Sequence, residues 1–274
     1  MTPRVLCTLR SLNYVALVAV IVVNILAGQS KIGAGVGAVS DAHPTLVTPP
    51  GWTFSIWGII YCLFCFFGCY VWQDTPRIAA LVDSLGYVLF INCCLNIGWI
   101  FAWCYDYVEY SVGIIICTMA SAFALYRRVD VWYGGGGQVV DDTGWIRYVA
   151  VWLPFSVYFA WLTVASVISM CVLLPYQDSA VRTTCSVIGL FFIGAVLISV
   201  AYLYKDPVIV AVGVWAFCGI ASHATNSTVI DTSIWLAILS GSWVAFIVAC
   251  GMLHRTLSCS AFPYICIANA GSDL

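Results

Sequence analysis

The sequence predicts an all-α polytopic membrane protein: a helical bundle of about eight transmembrane helices, with the N- and C-termini on the same, positive-inside side. Three observations predict it. Hydrophobic residues make up 63% of the chain and charged residues 8%, against roughly 25% charged in soluble domains, and the mean hydropathy is +1.01. Apolar runs recur at about 12–28, 52–73, 81–104, 110–126, 148–174, 183–204, 207–224 and 232–253, most of them near the roughly 20 residues that cross a hydrocarbon core. If the loops between eight runs alternate sides, Arg4, Arg10, Arg77, Arg127, Arg128, Arg147, Lys205 and Arg255 fall on side one, and only Lys31 and Arg182 on side two. That asymmetry follows the positive-inside rule, and dropping one run blurs it. Backbone groups find no water in lipid, so the runs should be helices. A barrel would need ten-residue alternating segments, and none occurs.

The chain divides into an N-terminal segment (1–11), a five-helix bundle (12–174), three additional helices (175–254) and a tail (255–274). The basic Met1–Arg10 start resembles an uncleaved signal for the first helix. That helix carries Asn24 near its side-two end. The loop 29–50 is glycine-rich (Gly33, Gly35, Gly37) and holds Lys31, Asp41 and His43. It is long for a connection in a compact bundle, and is either a lid or a surface loop.

Pro49 and Pro50 open the second helix, where prolines cost no backbone bond. Phe54, Trp57, Tyr61, Cys65, Gly68 and Trp72 then recur every three or four residues, so they share one face. Asn92, Asn96, Trp99 and Trp103 do the same on the third helix, and Pro154, Tyr158, Trp161 and Ala165 on the fifth. Amides facing lipid are expensive, so the asparagines should point inward. There they either glue helices together or bond a ligand among aromatic walls. Between the fourth and fifth helices, Gly134–Gly137 with Asp141 and Asp142 reads as a linker. No strand precedes it and no Lys-Ser/Thr follows it, so it is no phosphate loop. In the last three helices Trp215, Asn226, Asp231 and Trp235 serve packing or partner binding.

Several functions are disfavoured. A net charge of −2 lacks the basic footprint of a nucleic-acid binder. No Asp, Glu, Lys or Arg sits clearly inside a run, which argues against an ion-coupled carrier. No nucleophile–base–acid set or metal-ligand cluster is visible, so catalytic and metal-binding residues are not assigned. Most of the 14 cysteines lie in apolar runs and read as small hydrophobes. Val172, Tyr176 and Arg182 match the loose cholesterol pattern; the alternative is an interfacial anchor at a helix end.

Taken together, Pro49, Pro50, Trp52, Phe54, Trp57 and Tyr61, with Leu95, Asn96 and Trp99 and with Pro154, Trp161 and Ala165, resemble the tryptophan-rich sensory protein (TspO/MBR) family, also called the translocator protein or peripheral benzodiazepine receptor family. Asn24, Ser40 and the LPFSVYFAWLTVAS stretch resemble its longer members, and the likeness covers about residues 13–174. Phe54 and Trp57 are three residues apart where shorter members have four. That turns the face by about 100° and leaves the direction of Trp57 open.

The resemblance implies a bundle with a pocket for a tetrapyrrole, a sterol or a similar flat ligand. Trp52, Phe54, Trp57, Tyr61, Asn92, Asn96, Trp99, Trp103, Tyr158 and Trp161 would form its wall, with Asn24, His43, Pro49 and Pro50 at the lid. No cofactor is assigned, though a porphyrin or haem-type tetrapyrrole is a candidate ligand. The implied partners are the lipid bilayer, the flat guest and either other membrane subunits or a second copy, with no nucleic acid. The implied location is a mitochondrial or other organelle membrane in a eukaryote, or the inner membrane in a bacterium. Two functions stay open: a receptor or shuttle for the flat ligand, and an accessory subunit of a larger membrane complex. Light- or oxygen-dependent breakdown of porphyrin, implied by some bacterial relatives, is not testable from the residues.

Overall fold

The computed structural model describes residues 3–134, 144–174 and 178–261, with side chains as far as residue 245. Each apolar run becomes helix, as the absence of water in a bilayer demands. No strand occurs among the described residues. The first span is α1 (Pro3–Gly28). A short helix, α2 (Val36–Ala42), lies in the following loop, and a 3-10 turn over Gly51–Ser55 leads into α3 (Ile56–Tyr70). Thr75 then caps the next helix, its hydroxyl accepting from the Ile78 N–H at 3.2 Å, and Pro76 takes the first helical position.

The third span is broken into α4 (Pro76–Leu85) and α5 (Val88–Cys104), bent by 50°. Gly86 sits at the break with φ +55°, a conformation that favours glycine. Carbonyls freed at such a kink must find donors. Asn13 Nδ2 donates to the Gly86 carbonyl at 3.1 Å, and Arg128 Nη1 donates to those of Ser84 (2.6 Å) and Leu85 (3.3 Å).

Beyond it come α6 (Val108–Tyr133) and α7 (Gly144–Arg147). A π-helical turn over Tyr148–Trp152 then passes into α8 (Leu153–Val172). Pro154 lacks an N–H and its ring crowds the carbonyl four residues back, which accounts for the widened turn. The last three helices are α9 (Ser179–Tyr204), α10 (Pro207–His223) and α11 (Ser227–Ala261). Asp178, Asp206 and Asn226 each start one by accepting a backbone N–H.

Among the described residues six helices are long and apolar enough to cross a bilayer, seven if the bent α4–α5 pair counts as one span. The remaining run, α10, is apolar but shorter, at 17 residues. The chain is therefore a multi-span helical bundle. Contacts between loops respect the predicted alternation. On side one, Trp132 Nε1 donates to the Arg77 carbonyl, and Arg127 bonds Tyr204 while stacking on its ring. On side two, Arg182 reaches the Pro44 carbonyl. Residues 262–274, and with them the end of the chain, lie outside the described residues, as do Gly135–Gly137, Asp141 and Asp142 of the expected linker.

α8 is the axis of the bundle, buried on nearly every face and packed against α3, α6, α9 and α10. The three C-terminal helices are fastened to this core through Asp206, in the turn between α9 and α10. Its carboxylate, 1% exposed, accepts from Ser156 Oγ (2.5 Å), Trp152 Nε1 (2.9 Å) and Tyr126 OH (3.1 Å), while its other oxygen takes the Val208 N–H. Burial pushes that carboxyl above the usual carboxylate range, and the hydrogen bonds pull it back only in part.

Candidate functional site: an aromatic cavity beneath the first loop

On α8, where almost every neighbour is buried, Ala165 and Ile168 are partly exposed. They face a hollow of about 350 Å³ enclosed by α1, α2, the 3-10 turn, α3, α5 and α8. Its volume lies within the roughly 300–1,000 Å³ of small-molecule pockets. Helical periodicity builds the wall. Trp57 and Tyr61 stand one turn apart on α3 and stack at 5.7 Å and 17°. Trp99 and Trp103 stand one turn apart on α5 and stack at 6.3 Å and 21°. Trp57 lies nearly parallel to Trp99, at 6.3 Å and 26°. The four rings thus form a ladder, and Trp161 meets Trp57 and Phe54 edge-on at 6.4 and 6.0 Å. The ladder answers the question left by the altered Phe54–Trp57 spacing: Trp57 lines the hollow.

Three polar atoms of this wall, Tyr61 OH, Trp99 Nε1 and Trp161 Nε1, are buried without a hydrogen-bond partner among the described residues. Each such group costs roughly 1–3 kcal/mol.

The amides behave differently. Asn24 Nδ2 donates to Asn96 Oδ1 at 2.9 Å and to the Val20 carbonyl. Asn96 Nδ2 donates weakly to Tyr158 OH (3.4 Å), and Tyr158 OH donates to Asn92 Oδ1 (3.0 Å). Asn92 Nδ2 in turn donates to the Thr118 carbonyl and Ser121 Oγ at 3.0 and 2.8 Å. This chain ties α1, α5, α8 and α6 together behind the aromatic wall.

Of the residues expected at the site, Phe54, Trp57, Tyr61, Trp99, Trp103, Trp161, Asn24 and His43 line the hollow. Asn92, Asn96 and Tyr158 do not, because they face their partners in the network. Trp52 lies outside the hollow, about half exposed, with its ring against Trp215. Pro49 and Pro50 also lie outside its lining, Pro50 capping the 3-10 turn. Val172 of the cholesterol pattern lines the hollow, Arg182 reaches Pro44, and Tyr176 lies outside the described residues. Sequence reasoning missed Ile168 and Ser169 as wall residues. Both follow Trp161 at helical spacing, so extending the periodicity would have found them. Ser40 and Thr48, contributed by the loop, had no periodic signal to mark them.

The loop itself is ordered over the hollow. Ala34 N–H donates to the Cys104 carbonyl at 2.9 Å, and Trp103 Nε1 donates to that of Val36 at 3.1 Å. His43 Nε2 and Asp106 Oδ1 bond at 2.6 Å. Gly33, at φ +52°, lies so close to the end of α5 that a Cβ would stand 2.1 Å from the Cys104 oxygen. A second recess of about 420 Å³ lies between Asp41, His43, Pro44 and Arg182, sharing His43 and Val172 with the inner hollow. Among the described residues no group of His, Cys, Asp and Glu could hold a metal ion.

No curated protein and no solved structure matches the chain. The model of one family, described as TSPO-like protein, matches residues 10–251, which carries the likeness past residue 174 into the three additional helices. With the match spanning most of the chain, this integral membrane protein belongs to the TSPO-like family.

Proposed function

We propose that this protein is a membrane receptor or shuttle for a flat, largely apolar small molecule of the tetrapyrrole or sterol class. The observation that carries the reading is the hollow under the first loop, walled by the nearly parallel rings of Tyr61, Trp57, Trp99 and Trp103. Offset and edge-on ring contacts favour planar guests. The reading includes an organelle membrane in a eukaryotic cell, or the inner membrane in a bacterium, which fractionation against marker proteins checks.

The deciding experiment titrates the purified protein, in nanodiscs, with protoporphyrin and separately with a fluorescent sterol, following tryptophan quenching. Saturable binding of either guest is expected, weakened by Trp99→Ala. Absence of saturable binding by both, together with co-purification as a stoichiometric part of a larger assembly, would replace this reading with the accessory-subunit one.

A further inference from the structure

The 3-10 turn Gly51–Ser55 has two sides. Gly51 and Phe54 face the hollow, while Trp52 and Thr53 face α10, one of the three C-terminal helices. Trp215 on α10 donates from Nε1 to the Thr53 carbonyl at 3.0 Å, and its ring meets Trp52 edge-on at 5.0 Å. One turn further along α10, Gly219 leaves a notch for the Thr53 side chain. A Cβ on Gly219 would stand 2.4 Å from Thr53 Oγ1 and 2.8 Å from its Cγ2. Thr53 is wholly buried in that notch, although its hydroxyl has no hydrogen-bond partner among the described residues. Shape therefore places it there. At the opposite end, the Asp206 carboxylate fixes α10 to α6, the π-helical turn and α8.

We infer that α10 is a positioning strut: through Trp215 and Gly219 it sets the turn that opens α3, and so the placement of Phe54 and Trp57 in the wall. The inference rests on the ligand reading for its functional consequence, but its mechanical part does not. The C-terminal helices then govern guest affinity without touching the guest.

The test is a double-mutant cycle on the full-length protein with two readouts: amide hydrogen exchange of residues 51–57 in the ligand-free protein, and protoporphyrin quenching. Gly219→Ala should speed exchange of this segment and weaken protoporphyrin by about fivefold or more, a change on the scale of one lost contact. Thr53→Ala alone should do little. The double variant removes the two closest atoms, Thr53 Oγ1 and Cγ2, and leaves the Thr53 Cβ in a tight contact at 3.1 Å, so it should recover most of the loss in both readouts. A Gly219→Ala protein with unchanged exchange and affinity would overturn the inference, as would losses that Thr53→Ala fails to restore. Should Gly219→Ala not fold, Trp215→Phe decides: it keeps a ring against Trp52 but removes the bond to Thr53, and unchanged exchange of the turn overturns the strut. If the unmodified protein does not bind protoporphyrin, the ligand reading fails separately, and exchange still decides whether α10 holds the turn.

Discussion

Two substitutions on α8, both small and both close to the aromatic wall, should act in opposite ways. Ala165→Leu adds three carbons at a position facing the hollow. Burying them is worth up to about 2 kcal/mol at ~0.8 kcal/mol per carbon, less roughly 0.5–1 kcal/mol of rotamer entropy. The variant should be as stable as the parent, or about 1 kcal/mol more so, while protoporphyrin affinity falls at least ~tenfold because its space is taken. Tyr158→Phe instead removes a hydroxyl behind the wall. Asn92 Oδ1 loses a donor at 3.0 Å and Asn96 Nδ2 a weak acceptor at 3.4 Å. The expected cost is about 1 kcal/mol, the scale of interhelical bonds in membranes, with affinity within about twofold of the parent. Thermal unfolding in detergent, alongside quenching titrations, measures both quantities. Full affinity in Ala165→Leu would place the guest elsewhere. A loss of about 2–3 kcal/mol in the same variant would indicate overpacking, and hence no usable hollow.

Asp206→Ala would strand the donors of Tyr126, Trp152 and Ser156 in a buried site. A cost of about 3 kcal/mol or more is expected, seen as a fall in melting temperature on the order of 10 °C. In the loop over the hollow, if it acts as a lid, Gly33→Ala should raise the dissociation rate of bound protoporphyrin more than His43→Ala does in stopped-flow displacement. The first forces a methyl group onto the Cys104 carbonyl, whereas the second removes a partly exposed pair worth only ~0–1 kcal/mol. Equal rates would mean that the loop is not closed at Gly33. Tyr61→Phe should raise the melting temperature by a few degrees, since it removes a buried hydroxyl with no hydrogen-bond partner among the described residues, at a cost of about 1–3 kcal/mol; a fall in melting temperature would show that the hydroxyl is satisfied.

Much of the bundle was legible because membrane helices obey one rule, backbone satisfaction within the segment, and advertise it as apolar runs. The break at Gly86 was not, since its cause lies in remote residues: Asn13 and Arg128 supply the hydrogens that make a kink affordable there. On the site, periodicity named the ladder of Trp57, Tyr61, Trp99 and Trp103, because residues three or four apart share a face. It could not separate those rings from Asn92, Asn96 and Tyr158. They lie on the same stripes of the same helices at a different depth, and only the positions of α1 and α6 decide which turn of each stripe finds a polar partner. Trp52 illustrates the same limit from the other side. Its place in the motif suggested the wall, but a 3-10 turn advances 120° per residue rather than 100°, and α10 offers Trp215 to receive it.

Polar groups are thus divided by the aromatic wall. Behind it, the Asn96, Tyr158 and Asn92 side chains, joined by Asn24 at the edge of the hollow, use most of their hydrogen-bonding capacity on one another and on α6. In it, Tyr61, Trp99 and Trp161 keep buried polar atoms with no hydrogen-bond partner among the described residues. The first arrangement fixes the spacing of α1, α5, α6 and α8 through the protein's own side chains, so a guest of the proposed class would need little reorganisation to bind. The second leaves a polar cost of roughly 1–3 kcal/mol per group inside the wall itself.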